Sequence, residues 1–253
     1  MPPPCAGGPT PWAELERFID ERLAAGGGRL GGRLGAMTLD YRPAAHAARG
    51  DIDLARNRFA QRRQELIERG SSAPFMHRLA MDEAFIELRA GEFAAAARML
   101  EDAWRGLEKV GEHGFRSTIG TLLAESLAGL GRIEEAEELI DASEQLAARD
   151  DAATAIGVAR ARAFVAAARG SHEESIARAE EAVRVADATD YLDERADLYL
   201  HLGETLIAAE HLDAAAGPLR QAIALADRKG SIVLADRART LLAGVSAPRA
   251  ASP

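Results

Sequence analysis

Apolar residues in this chain recur at intervals of three and four, and the pattern restarts about every forty positions. The stretch Leu127-Ala-Gly-Leu-Gly-Arg-Ile-Glu-Glu-Ala-Glu-Glu-Leu-Ile140 shows one restart in full. Gly131 can end a helix in the left-handed conformation at little cost. Ile133, Ala136 and Ile140 then fall on one face of the next helix. The predicted unit is therefore a pair of antiparallel helices joined at an elbow. Equivalent elbows fall at Gly50, Gly91, Gly131, Gly170 and Glu210, with spacings of 41, 40, 39 and 40 residues. Five residues past each stands Ala55, Ala96, Ala136, Ser175 or Ala215, small enough for two helices to approach closely. Nine past come Phe59, Leu100, Ile140, Ala179 and Leu219. Two past come Ile52, Phe93, Ile133, His172 and Leu212, mostly large apolar groups suited to filling the space between layers. Repetition at this period marks a solenoid.

The periodicity predicts helices at about 11–25, 33–49, 51–69, 73–90, 92–111, 115–130, 132–148, 151–169, 171–188, 191–209, 211–229 and 231–244. Residues 1–10, rich in proline and glycine, are expected to be disordered. Residues 11–35 form a leading helix and a Gly-rich linker, 36–246 a repeat domain of five hairpins plus a capping helix, and 247–253 a disordered tail. Thr10-Pro11 reads as an N-cap followed by proline in the first turn. The leading helix, with Trp12, Leu15, Phe18 and Ile19 on one face, has no hairpin partner before it. Pro43 inside the second predicted helix implies a kink there. Ile232, Leu234, Leu241 and Leu242 of the last helix can cover the open end of the stack.

Composition agrees. The chain is 47% hydrophobic but only 5% aromatic, an Ala- and Leu-rich balance that favours an all-α fold. A formal net charge of −9 argues against direct nucleic-acid binding, which needs a basic stripe. Cys5 is the sole cysteine, so no intramolecular disulfide or thiolate metal cluster is available, and a reducing cytoplasm is the simplest home. No apolar run approaches the roughly 20 residues of a membrane span, and the first residues lack the regions of a signal peptide.

Candidate chemistry is thin. Gly26, Gly28 and Gly31 spell G-x-G-x-x-G, but a helix rather than a strand precedes them, so a linker is the better reading than a dinucleotide cradle. His172-Glu173 begins like a zinc-protease motif, yet Ile176 stands where the second histidine belongs. The six histidines never pair at helical spacing, and no metal or cofactor is expected. Arg49-Gly50-Asp51 coincides with an elbow. The acidic run over 132–151 reads as a solvated outer face, since most of its carboxylates sit early in a helix. Arg56, Arg58, Arg62 and Arg63 form a basic counterweight on one helix.

Tyr199, Leu202-Gly203, Leu206, Leu212, Ala215, Leu219 and Ala222 resemble the tetratricopeptide repeat, with Asp227 where that family has its terminal proline. The third unit keeps Leu123-Ala124, Leu127, Ala136 and Ile140. In the first two units Arg42 and Glu83 occupy expected leucine positions. Gly114-Phe-Arg-Ser-Thr118, Leu122-Leu-Ala-Glu-Ser-Leu127, Glu144-Gln-Leu-Ala147, Arg228-Lys-Gly230 and Ala235-Asp-Arg-Ala238 further resemble the MalT-like repeat region that closes bacterial regulators, over about residues 45–245. In those regulators a cyclase-like domain or transcriptional activator and a P-loop ATPase module come first. Their catalytic parts have no counterpart here.

The expectation is a right-handed α-solenoid of tetratricopeptide-like hairpins, not an enzyme, acting in the cytoplasm on a protein or peptide partner, regulator domains included. The alternative is a small-molecule-sensing arm of an ATPase- or cyclase-type regulator. In such a solenoid the first helix of each hairpin lines the concave side. By position the groove residues are Arg78, Met81, Phe85, Thr121, Glu125, Arg160, Phe164, Asp197, His201 and Glu204, giving an apolar, basic first half and an acidic second half.

Overall fold

The computed structural model of the 253-residue chain describes residues 8–25 and 41–246. Among these are twelve helices and no strand: α1 (Trp12–Ala25), α2 (Arg42–Ala48), α3 (Ile52–Glu68), α4 (Ala73–Arg89), α5 (Phe93–Lys109), α6 (Gly114–Gly129), α7 (Ile133–Leu146), α8 (Ala152–Ala168), α9 (His172–Asp187), α10 (Leu192–Ala208), α11 (Leu212–Lys229) and α12 (Ile232–Ser246). Five hairpins, α2–α3 through α10–α11, stack into an α-solenoid of tetratricopeptide-like units. The expected tail and Gly-rich linker, residues 1–7 and the start of the helix predicted at 33–49 lie outside the described residues.

All five elbows adopt the left-handed conformation, with φ of 96° at Gly50, 78° at Gly91, 76° at Gly131, 74° at Gly170 and 64° at Glu210. Glu210 is the one non-glycine residue with positive φ among the described residues. After each elbow the next amide donates to the carbonyl five residues back. Asp51 to His46, Glu92 to Glu87, Arg132 to Leu127, Ser171 to Ala166 and His211 to Leu206 all lie between 2.8 and 2.9 Å. This bond satisfies a carbonyl that a helix end otherwise leaves open.

The small residues five past the elbows form the seam of each hairpin. Ala55, Ala96, Ala136 and Ala215 are completely buried. Ser175 is buried too, and its hydroxyl donates to the Ala163 carbonyl at 2.9 Å, so the polar atom finds its partner across the hairpin. Phe59, Leu100, Ile140, Ala179 and Leu219 are likewise buried. Two past the elbow the apolar groups are half-buried, and His172 is exposed. Helix α8 is apolar nearly all round. Ile156, Ala159 and Ala163 enter one core cluster with α9 to α12, while Val158, Ala161 and Val165 enter another with α4 to α7. At Gly157 a Cβ would stand 2.2 Å from Thr121 Oγ1 and 2.8 Å from its Cβ, so only glycine permits α6 and α8 to cross this closely.

The first hairpin departs from the plan. Pro43 lies in the first turn of α2, where a missing N–H costs nothing, so no kink forms. Between α3 and α4 ion pairs flank a small apolar cluster of Phe59, Leu66, Leu79 and Ile86, and Glu83, at a leucine position of the repeat, takes part in one of them. Arg56 forks onto Glu87 at 2.8 and 2.6 Å, and Arg63 meets Glu83. Three of the four arginines of the basic stretch are thus committed to acids, Arg62 bonding Glu65 at 2.9 Å.

Helix α1, expected to have no hairpin helix before it, packs on two sides of the array. Trp12 and Leu15 pack with Ala45 and Ala48 of α2, and Arg49 forks onto Glu16 at 2.5 and 2.7 Å. On its other side the Trp12 indole N–H donates to Ser231 Oγ at 3.0 Å. Lys229, completely buried, donates to the carbonyls of Gly8 and Thr10, both at 2.8 Å, and its ammonium lies 4.4 Å from the centre of the Trp12 ring. The last three residues of the stretch expected to be disordered are therefore bent and held, two of them through their carbonyls. The helix begins after Pro11, whose carbonyl accepts from Glu14 and Leu15. Val233 lies against Gly50, 3.6 Å from where a Cβ would stand. The array is closed head to tail.

Holding a non-glycine residue in the left-handed region costs about 1–2 kcal/mol, partly offset by the greater freedom glycine gives the unfolded chain. Glu210→Gly is therefore expected to stabilise the protein by roughly 0.5–1 kcal/mol in urea unfolding. An unchanged or lowered midpoint would contradict the elbow conformation.

Candidate binding site on the inner face

The first helices of the hairpins, α4, α6, α8 and α10, turn their polar side chains toward one another on the inner face. Arg160 of α8 is at the centre. It reaches Glu125 of α6 at 2.9 Å and Asp197 of α10 on the other side. Arg89, from the end of α4, bonds Asp193 at 2.5 Å and approaches Asp197 at 3.7 Å. Asp193 also accepts from Ser231, the residue that holds the Trp12 indole. One buried carboxylate so ties α4, α10 and the start of α12 to the leading helix. Aromatic rings back this network. Phe164 stacks on His201 with centroids 4.6 Å apart and an interplanar angle of 5°, and meets Phe93 edge-on at 6.5 Å. The Arg89 guanidinium covers Phe85 at 4.3 Å.

Of the residues nominated from sequence, Glu125, Arg160, Phe164, Asp197 and His201 come together here. Glu204 joins from the next turn of α10 and pairs with Arg237 of α12 at 2.5 Å. Arg78 is further along α4, 3.7 Å from Asp82 and over the Phe115 ring at 5.7 Å. Met81 packs against the central core and is half-buried. Thr121 is fully buried, its hydroxyl donating to the Thr118 carbonyl at 2.8 Å beside Gly157. Arg89, Asp193 and Glu194 were missed. Each has a local explanation as a charge suited to its end of the helix dipole, which hides the long-range role.

Burial and pairing pull the titratable groups apart. Burial raises the Glu125 carboxyl, with Arg160 opposing. Asp197 is buried as well, but Arg160 and Arg89 both attract it and hold it down at about 2. Burial pushes Glu194 up to about 7 and Asp82 up to about 6. Burial, helped by Arg160, brings His201 down to about 3, so the ring is neutral where it stacks on Phe164. The inner face therefore offers fixed charges of both signs, a neutral aromatic pair and a carboxyl that titrates near neutrality. Among the described residues no group of three or more His, Cys, Asp or Glu side chains could hold a metal ion.

No protein-family model and no curated protein sequence matches the chain. Among solved structures it is similar to BtubC (BKLC) from P. vanneervenii, with a TM-score of 0.54 and 18% identity over 96% of this chain and 95% of that one. At that identity the likeness concerns the fold. The TPR-like repeats of a kinesin-light-chain-type protein from Podosopora anserina match at a TM-score of 0.43 and 16% identity, over 81% of this chain and 94% of that one.

Two predictions follow from the charges. Arg160→Met leaves Glu125 and Asp197 buried without their shared cation, and should cost roughly 3–5 kcal/mol in urea unfolding. A loss below 1 kcal/mol would mean that the pair is not formed in solution. For Glu194 the folded carboxyl holds its proton up to about 7 while the unfolded one releases it near 4.5. Its contribution therefore falls as pH rises across that window. Glu194→Gln should melt like the parent at pH 4 and above it at pH 8, by roughly 1–3 kcal/mol after allowance for partial exposure. A difference that is flat with pH would refute this environment.

Proposed function

We propose that the chain is a non-catalytic protein–protein interaction scaffold, the repeat portion of a bacterial signalling or transcriptional regulator working in the cytoplasm. Its partner is a protein or peptide segment, a domain of the same regulator included. One observation carries this reading: the inner face is organised before any partner arrives, because Arg160, Arg89, Glu125 and Asp197 orient one another. A partner that orders itself on such a surface meets a scaffold that loses little freedom. Around the fixed centre, half-buried Arg78, Met81, Phe85, Phe164, His201 and Glu204 remain within reach of a ligand. The MalT-like resemblance over about residues 45–245 supports the regulator setting. Among the described residues no helix is long and apolar enough to cross a membrane.

The enclosure of the centre favours a second reading, a sensor arm for a small molecule. Glu125 and Asp197 are 2% and 6% exposed and already paired with Arg160, which leaves a ligand only the half-buried groups around them, Phe85, Phe164 and His201 among them. Thermal shifts with small metabolites but not with peptides would select it.

The test of the first reading is capture of partners by the intact chain and by three charge reversals. Arg78→Glu and Glu204→Lys should each weaken capture at least tenfold, about 1.4 kcal/mol. Glu138→Lys, on the exposed side of α7, should leave it unchanged. Equal capture by all four proteins would exclude the inner face.

A further inference from the structure

We propose that residues 8–25 act as a releasable clasp that locks the repeat array in its closed form, and whose departure lets the first hairpin part from the α11–α12 corner.

The geometry separates this segment from the rest. Among its described side chains the buried apolar ones are Trp12, Leu15 and Ile19. Trp12 and Leu15 form a satellite cluster with Ala45 and Ala48, apart from the two large clusters that run through α4 to α12. Further anchors are polar: the carbonyls of Gly8 and Thr10 on Lys229, the indole N–H on Ser231, Glu16 on Arg49 and Asp20 on Arg42. Segments held by few apolar contacts open at lower free energy than the core they cover. Every one of these anchors joins parts distant in sequence, Trp12 to Ser231 and Gly8 to Lys229. Undocking therefore weakens the closure and leaves each hairpin intact. Contacts that then still span the ring include Val233 against Gly50, and Arg89 on Asp193 and Asp197. Asp193 is itself bonded to Ser231, so clasp release also frees the hydroxyl on which that carboxylate rests.

The two tryptophans make the clasp observable. Trp104 is half-buried with Arg116 over its ring at 4.2 Å, and Trp104→Phe leaves Trp12 as the only indole. In that protein Trp12 fluorescence should be blue-shifted and poorly quenched by acrylamide in buffer. On adding urea the emission should shift red at a lower midpoint than the loss of helical circular dichroism. Adding Lys229→Met should expose Trp12 already in buffer, raising acrylamide quenching several-fold while helix content stays unchanged. The radius of gyration from solution scattering should rise at the same time. Coincident urea midpoints for the two probes would overturn the proposal by making α1 part of the common core. An exposed Trp12 in the Trp104→Phe protein itself would overturn it by showing no docked state. If Lys229→Met lowers helix content, the comparison of urea midpoints decides alone.

Discussion

The close approach of two helices across one small side chain is the constraint on which the rest of the structure depends. At Ala55, Ala96, Ala136, Ser175 and Ala215 nothing larger than a hydroxymethyl separates the paired backbones. The left-handed elbow five residues earlier sets the angle at which the second helix returns, and the seam sets the distance. Once both are fixed, the layer position four residues further on accepts anything from Ala179 to Phe59. The array tolerates variation in its filling because its spacing is decided elsewhere.

Charge on the inner face plays a different part from apolar burial in the seams. Taking Arg160, Glu125 and Asp197 out of water gives back little net stability compared with apolar groups of the same shape. What it supplies is direction: a forked guanidinium between two carboxylates fixes α6, α8 and α10 relative to one another. The same groups that orient the helices set the character of the surface. Neutral His201 against Phe164 and anionic Asp197 between two arginines are consequences of packing as much as features a ligand would read.

Hairpin phase was legible because it is local and repeated. Spacing alone picked Glu210 as an elbow although it is not glycine, and its φ of 64° agrees. The inner-face cluster of Glu125, Arg160, Phe164, Asp197 and His201 was legible for the same reason, since the first helices share one phase. Two kinds of feature were not. Pro43 was read as a kink because the start of its helix was placed too early, and a proline in the first turn is harmless. Closure by Lys229 and Trp12 spans more than two hundred residues, and no periodic signal connects them. Lys229 in particular looks like an ordinary basic residue at a helix end, yet it is completely buried.

The α3–α4 interface gives the ring one compliant corner. The two helices share only a small apolar cluster, Ala55, Phe59 and Leu66 against Leu79 and Ile86. Beside it Arg56 forks onto Glu87 and Arg63 meets Glu83, pairs whose long arginine side chains face solvent while their carboxylates are largely covered, so this joint is held by little carbon and two extended side chains. A closed ring breathes where it is softest, so bending strain should collect at this joint and spare the stiff arc from α6 to α12.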